Sequence, residues 1–322
     1  MTDSNTITTT VSEVLKNRPA ALGLMIAGIL LIAIGFILLL TEKKKTDKKP
    51  RAARGARAAA PVDIELYSKS VIGDRSYQQD YCIIPKNIRD DRLKNVGTLA
   101  IVCDGMGGME GGEQASRCCA EMVYGGYYQI GSTEDVCALL RGLIVEANKE
   151  VANFTAENGR KLNSGTTVVV AVYLHSKIYW ASVGDSRIYL YHNGALTQIT
   201  RDHNLGEKLR QDLENGLITK EQFDSAKQKE ALVSYVGMGQ SNSLGQPMLI
   251  DVGELSFPEG SGDILILCSD GIYKTASYKT ICKTIEQTKT VRDLPDALIT
   301  AALTGGQAGK HDNISAIVMK RK

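Results

Sequence analysis

From Pro61 onward the chain alternates short, nearly unbroken apolar runs with stretches in which apolar residues recur every three or four positions. Thr98–Cys103 (TLAIVC), Thr166–Leu174 (TTVVVAVYL), Lys177–Val183 (KIYWASV), Arg187–Tyr191, Asp263–Cys268 (DILILC) and Ile314–Met319 (ISAIVM) are rich in β-branched and aromatic residues and predict strands. Several are apolar at consecutive positions, which predicts strands covered on both faces or packed sheet to sheet. The short polar breaks His175-Ser176 and Gly184-Asp185-Ser186 predict hairpin connections. Glu113–Tyr128 and Thr133–Glu157 carry helical spacing, the second through Val136, Leu140, Leu143, Ala147, Val151 and Phe154. Ser277–Gln287 and Leu294–Leu303 predict two further helices. The order is strands, two long helices, consecutive strands, a polar helical insert, then strands and helices. That order is α+β, and packed, mainly antiparallel sheets flanked by helices fit it best. No internal repeat or second linker interrupts it, so residues 61–322 read as one domain.

The N-terminal region has a different pattern. Ala20 to Leu40 (AALGLMIAGILLIAIGFILLL) contains no charge and is apolar on every helical face. At about 1.5 Å per residue it spans roughly 32 Å, enough to cross a hydrocarbon core. A cleaved signal peptide has a shorter apolar stretch and ends at small residues; this run ends in three leucines followed by TEKKK. The pattern predicts an uncleaved transmembrane helix over residues 20–41. Lys43, Lys44, Lys45, Lys48, Lys49, Arg51, Arg54 and Arg57 follow it, against Lys16 and Arg18 before it. Basic flanks stay in the cytoplasm, which predicts an extracytoplasmic N-terminus at 1–19, a basic juxtamembrane linker at 42–60 and a cytoplasmic domain. The linker reads as a flexible topology determinant or as a contact for anionic headgroups of the bilayer.

Charge and cysteine usage narrow the function. Of 38 Lys and Arg and 36 Asp and Glu, ten basic and four acidic residues lie before Pro61. The remainder is therefore slightly acidic, and nucleic acid is excluded as a partner of the folded part, which would need a basic patch there. The seven cysteines form no CxxC pair and no disulfide-like framework. They read as reduced structural thiols, with Cys103 and Cys268 inside apolar runs.

Candidate chemistry lies at strand ends. Asp104 follows LAIVC and opens DGMGG; Asp270 follows ILILCS and opens DGIY; Asp312 precedes Asn313 and ISAIVM; Asp80 closes RSYQQD. A lone Asp-Gly is usually a turn, but several carboxylates where buried strands meet loops suit a hard cation such as Mg²⁺ or Mn²⁺. Rival signatures fail. There is no HExxH or GxSxG, and the four histidines are scattered. TGGQAGKH at Thr304–His311 lacks P-loop spacing, and the glycine-rich stretch after Asp104 has Glu110 where a dinucleotide loop needs its third glycine.

The ordered set Arg75-Ser-Tyr-Gln-Gln-Asp80, Asp104-Gly-Met-Gly-Gly108, Ser164-Gly-Thr-Thr167, Val183-Gly-Asp-Ser-Arg187, Asp202-His203, Ser269-Asp-Gly271 and His311-Asp-Asn313 closely resembles the metal-dependent protein phosphatase (PPM, or type 2C) family, in its bacterial form. The resemblance covers residues 64 to 320. It implies a four-layer α-β-β-α sandwich and a protein serine/threonine phosphatase acting through two Mn²⁺ or Mg²⁺ ions and an activated water, with no phosphoenzyme. By that resemblance Asp104 bridges the ions, the Gly105 carbonyl binds one of them, and Asp270 and Asp312 complete the other shell. Asp80 holds water in the second shell, and Arg75 clamps the substrate phosphate. Asp185 matches a family residue tied to a third, weaker ion, or else is a turn residue. That residue's usual partner, an aspartate four positions after Asp270, is replaced by Lys274. Residues 204–235 resemble the family's variable flap without its His-Pro-Arg stretch, or are a solvated helical decoration. The implied partners are phosphorylated proteins and a cognate kinase. A pseudophosphatase that binds phosphoproteins and a small-molecule phosphatase are the alternatives.

Overall fold

The apolar runs become the inner strands of two antiparallel sheets. The computed structural model describes residues 64–322 except 108–110, 132–133, 157–158 and 243–244, and all of these belong to one unit, Ala59–Lys322. The expected transmembrane helix, its linker and the N-terminus lie outside the described residues. Among the described residues no helix is long and apolar enough to cross a membrane.

The strands are β1 (Ile64–Val71), β2 (Asp80–Ile83), β3 (Thr98–Met106), β4 (Gly165–Thr166), β5 (Val168–Leu174), β6 (Lys177–Val183), β7 (Arg187–His192), β8 (Ala195–Gln198), β9 (Asp251–Ser256), β10 (Ile264–Cys268) and β11 (Ile314–Arg321). The helices are α1 (Leu93–Val96), α2 (Gly111–Ile130), α3 (Val136–Val151), α4 (Leu205–Glu214), α5 (Lys220–Ser225), α6 (Asp270–Tyr273), α7 (Tyr278–Gln287) and α8 (Leu294–Gly305). One sheet has the order β1-β11-β10-β7-β8; the other has β2-β3-β5-β6-β9, with β4 paired to β3.

Three apolar layers explain why the inner strands are apolar at most positions. In β3, Leu99, Ile101 and Cys103 pack under α2 and α3, while Ala100 and Val102 face the second sheet. In β10, Leu265 and Leu267 join the layer between the sheets, and Ile264, Ile266 and Cys268 face α7 and α8. A fully buried Leu or Ile contributes about 1.5–3 kcal/mol, so a strand apolar on both sides holds two layers at once. All seven cysteines are free thiols, with Cys103 and Cys268 fully buried.

Some boundaries differ from the sequence expectation. The predicted helix Thr133–Glu157 is shorter: Asp135 caps it by accepting from the Ala138 N–H, it ends at Val151, and Thr155 pairs back with Lys161. The His175-Ser176 hairpin is present, with both residues at positive φ, as a tight antiparallel turn requires. Gly184-Asp185-Ser186 is not a hairpin. β6 pairs with β5 and β9 and β7 with β10 and β8, so this segment carries the chain from one sheet to the other. The tight hairpin that follows is Asn193-Gly194, both at positive φ. The polar insert does form helices, α4 and α5, neither with a buried residue.

Candidate metal centre

Strand direction gathers the carboxylates. Antiparallel pairing sets Asp80 opposite Asp104. β10 and β11 are antiparallel with Cys268 opposite Ala316, so Asp270 and Asp312 leave the other sheet at one common end. Ser269 Oγ joins the two sheets there by donating to Asp80 Oδ2 at 2.7 Å. The resulting cleft, about 320 Å³, is lined by Asp104, Gly105, Asp185, Asp270 and Asp312, with Arg75 and Lys274 at their side. The structure therefore brings every sequence-predicted site residue to one place, with Asp80 buried behind.

Local contacts fix each group. The Asp104 carbonyl accepts from Thr166 Oγ1 and from the Thr167 N–H, both at 2.9 Å; its own N–H donates to Thr167 Oγ1. The break between β4 and β5 thus serves Asp104. Gly105 donates to the Gln79 carbonyl at 3.0 Å, and a Cβ on it would overlap the Gly112 carbonyl oxygen at the start of α2. Only glycine allows the strand and helix so close.

Arg75 rides on a loop stapled to the segment before β11. Asn313, 4% exposed, donates through Nδ2 to the Ile72 carbonyl (2.8 Å) and the Tyr77 carbonyl (3.0 Å) and accepts the Gln79 N–H (2.7 Å). Asp74 accepts from the His311 backbone N–H at 2.9 Å and pairs with His311 Nδ1 at 2.6 Å. The Arg75 guanidinium, more than half exposed, meets Asp312 at 2.6 Å.

The electrostatics are those of crowded negative charge. Burial pushes the Asp80 carboxyl up to about 7 against the pull of its serine hydrogen bonds, and the charges of Asp270 and Asp312 add to the rise. Burial, then Asp80, Asp270, Asp185 and Asp312, hold Asp104 well above the usual carboxylate range. Asp185 rises to about 6 through burial and Asp270, with Lys274 opposing. Two buried oxygens, Asp80 Oδ1 and Asp270 Oδ1, have no hydrogen-bond partner. An orphaned buried carboxylate oxygen is costly, and hard oxygen donors crowded in this way suit Mg²⁺ or Mn²⁺. The residues present therefore fit divalent ions. Among the described residues no three His, Cys, Asp or Glu side chains already form a closed ligand set. Instead Lys274 Nζ donates to Asp270 Oδ2 and Arg75 to Asp312 Oδ2.

Sequence reasoning gave no individual role to Asn313, Gln79, Ser269 or Glu230, the last lining the cleft from the insert together with Leu232. Gln79, Ser269 and Asn313 each lie within a quoted motif beside a candidate site residue, which was the available signal, and Glu230 had none. His203 does not reach the carboxylates. Its Nδ1 accepts the Gly184 N–H at 3.2 Å, so Nε2 carries the proton and donates to Asp251 Oδ2. Asp202 takes the Arg187 guanidinium in a two-pronged pair. Both residues fix the crossover between the sheets.

Comparison with known proteins gives a consistent result. A family model described as Protein phosphatase 2C matches residues 67–222. The serine/threonine phosphatase Stp of Listeria monocytogenes is 32% identical over 227 residues, covering 69% of this chain and 84% of the relative. The solved serine/threonine phosphatase of S. agalactiae aligns with a TM-score of 0.64 at 26% identity, over 80% of this chain and 100% of that one. The catalytic domain of the phosphatase PstP, solved in complex with 2 manganese ions, shares the fold at a TM-score of 0.61 and 24% identity, over 80% of this chain and 97% of that one.

Proposed function

The chain belongs to the protein phosphatase 2C family of metal-dependent serine/threonine phosphatases, and from that premise we propose how and where it acts. It hydrolyses phosphoserine and phosphothreonine in proteins with two Mn²⁺ or Mg²⁺ ions held by Asp104, the Gly105 carbonyl, Asp270 and Asp312. The observation that carries this is the convergence of four strand-end carboxylates from two sheets beside one exposed arginine. The ions supply electrostatic chemistry: they draw charge from the phosphoryl oxygens and make water more acidic.

The chain's own groups do the rest. Arg75 exchanges Asp312 for the substrate phosphate, which its planar guanidinium can grip with two parallel bonds. Its exposure leaves it free to do so. Asp80 Oδ1, unpartnered while Ser269 holds Oδ2, accepts a proton or hydrogen bond from the attacking water. No side-chain nucleophile is required, in keeping with the missing nucleophile motifs. The leaving Ser or Thr oxygen takes its proton from solvent.

The enzyme is tethered to the cytoplasmic face of a membrane by residues 20–41, on the strength of their length, apolarity and basic C-terminal flank. The substrates are phosphorylated proteins, with a cognate Ser/Thr kinase supplying the phosphate.

The test is phosphate release from a phosphothreonine peptide by the full chain in detergent, with Mn²⁺, with chelator, and with Asp270→Ala. Turnover should need both metal and Asp270, with a loss of at least about a hundredfold in the variant. No turnover from folded protein at any Mn²⁺ or Mg²⁺ level would overturn the reading and leave a phosphoprotein-binding role.

A further inference from the structure

Lys274 occupies an unusual place. It stands four residues after Asp270, on the same face of the one-turn helix α6, and its Nζ donates to Asp270 Oδ2. Asp185 Oδ2 lies 3.9 Å from the same Nζ. Among the described residues Lys274 is the only ion-pair partner of either carboxylate. The surroundings are rigid: Tyr273 OH donates to the Asp185 carbonyl at 2.9 Å, and the Arg187 guanidinium stacks 3.5 Å above the Tyr273 ring. The lysine head, on a flexible stem and 41% exposed, is the movable part.

An ion that binds the unpartnered Asp270 Oδ1 places a divalent charge beside the ammonium on Oδ2, and the repulsion between the two cations drives the lysine head away. Asp185 is the nearest other acceptor, needing a shift of the lysine head of only about 1 Å to reach normal ion-pair distance. Asp185 is itself buried, so an unmatched negative charge there is unfavourable. The exchange leaves both carboxylates paired.

We propose that Asp185 serves in this chain as the receiving partner of the Lys274 ammonium rather than as a ligand of a further metal ion, so that metal uptake at Asp270 moves Lys274 onto Asp185. The inference rests on the metal-dependent reading of the cleft and deepens it: Lys274 is a tethered cation that sets metal affinity, and Asp185 is a positioning residue acting through it.

A double-mutant cycle in Mn²⁺ binding tests this, using calorimetry on the full chain in detergent with wild type, Lys274→Met, Asp185→Asn and the double variant. Lys274→Met should tighten Mn²⁺ binding, since no tethered cation competes. Asp185→Asn should weaken it about tenfold when Lys274 is present and by less than about twofold in the Lys274→Met background. Such a coupling is in the range measured for contacting residues. Lys274→Arg, which keeps the cation, should retain the Asp185 dependence. Equal weakening by Asp185→Asn in both backgrounds, or loss of one bound ion per chain, would overturn the proposal and make Asp185 a metal ligand. Wild type that binds Mn²⁺ and turns over but shows an additive cycle sinks only this inference. Wild type that binds no Mn²⁺ sinks the phosphatase reading with it. A thermal melt of each variant confirms that binding is compared between folded chains.

Discussion

Asn313 commits both donors and the acceptor of its side chain to one loop, the one that carries Arg75. Asn313→Ala removes three hydrogen bonds and leaves Gln79 N–H and two carbonyls to find water. At about 1 kcal/mol each, the loss is roughly 3 kcal/mol of stability. Because the loop positions the phosphate clamp, KM for a phosphopeptide should rise more than kcat falls; steady-state kinetics beside a denaturant titration separates the two effects. Asp251 offers a pH test away from the carboxylate cleft. Its hydrogen bond from His203 holds its carboxyl below the usual range, with Arg201 adding to the effect and burial opposing it. A depressed folded value means stability present above the ordinary aspartate range, near 3.9, and lost as pH falls through the folded value. Asp251→Asn should therefore lower stability at neutral pH and flatten the loss on acidification, as measured by melting temperature against pH. At this scale the sequence singled out candidates, since Asp80, Asp104, Asp270 and Asp312 stood out at strand ends and Arg75 through the family resemblance, and the structure gathers them at one cleft. The sequence did not show what holds them, because Ser269 on Asp80, Thr167 on Asp104 and Asn313 on the Arg75 loop act across long chain separations.

Elements differ in how plainly the chain announces them. The inner strands β3, β5, β6, β7 and β10, with β11, are apolar at most positions because each is covered on two sides. The strands missed from pattern, β1, β2, β8 and β9, are the four edges of the two sheets. An edge strand has one neighbour and a partly solvated face, so β1 and β9 alternate or read as polar, and local pattern cannot separate them from loops. The segment Gly184–Ser186 looked like a hairpin for a related reason: a short polar break has the same composition whether the chain doubles back or crosses to the other sheet. His203, which accepts the Gly184 N–H, and the sheet partners already taken by β6 decide it. The junction of β3 and α2 gives an element-scale prediction. Gly105→Ala would drive a Cβ into the Gly112 carbonyl and crowd the Gln79 carbonyl. Neither is a flexible side chain, so the strand and the helix start must part. The expected outcome is a loss of about 2 kcal/mol or more, with weaker Mn²⁺ binding because the Gly105 carbonyl moves; chemical denaturation and calorimetry read the two.

At the scale of the described molecule, Asp80, Asp104, Asp185, Asp270 and Asp312 gather where the two sheets meet, and ions that bind only the folded form should stabilise it by mass action. Adding Mn²⁺ at about a hundred times its dissociation constant should contribute about 2.7 kcal/mol for each site filled, raising the melting temperature by several degrees, and chelator should reverse the shift. A melting temperature indifferent to Mn²⁺ would count against the cleft as a metal centre. The sequence by itself determined the class of fold, the inner strands, the longer helices, the polar character of the insert and the identity of the candidate ligands. It could do so because burial on both faces, helical periodicity and motif spacing are local properties written along the chain. Only the tertiary structure decided which strands form the edges, that the segment after β6 crosses between sheets, and that Lys274 lies on Asp270 with Asp185 within reach. Those outcomes depend on partners far apart in sequence, whose pairing is fixed by how the two sheets and their helices pack rather than by any residue's immediate neighbours.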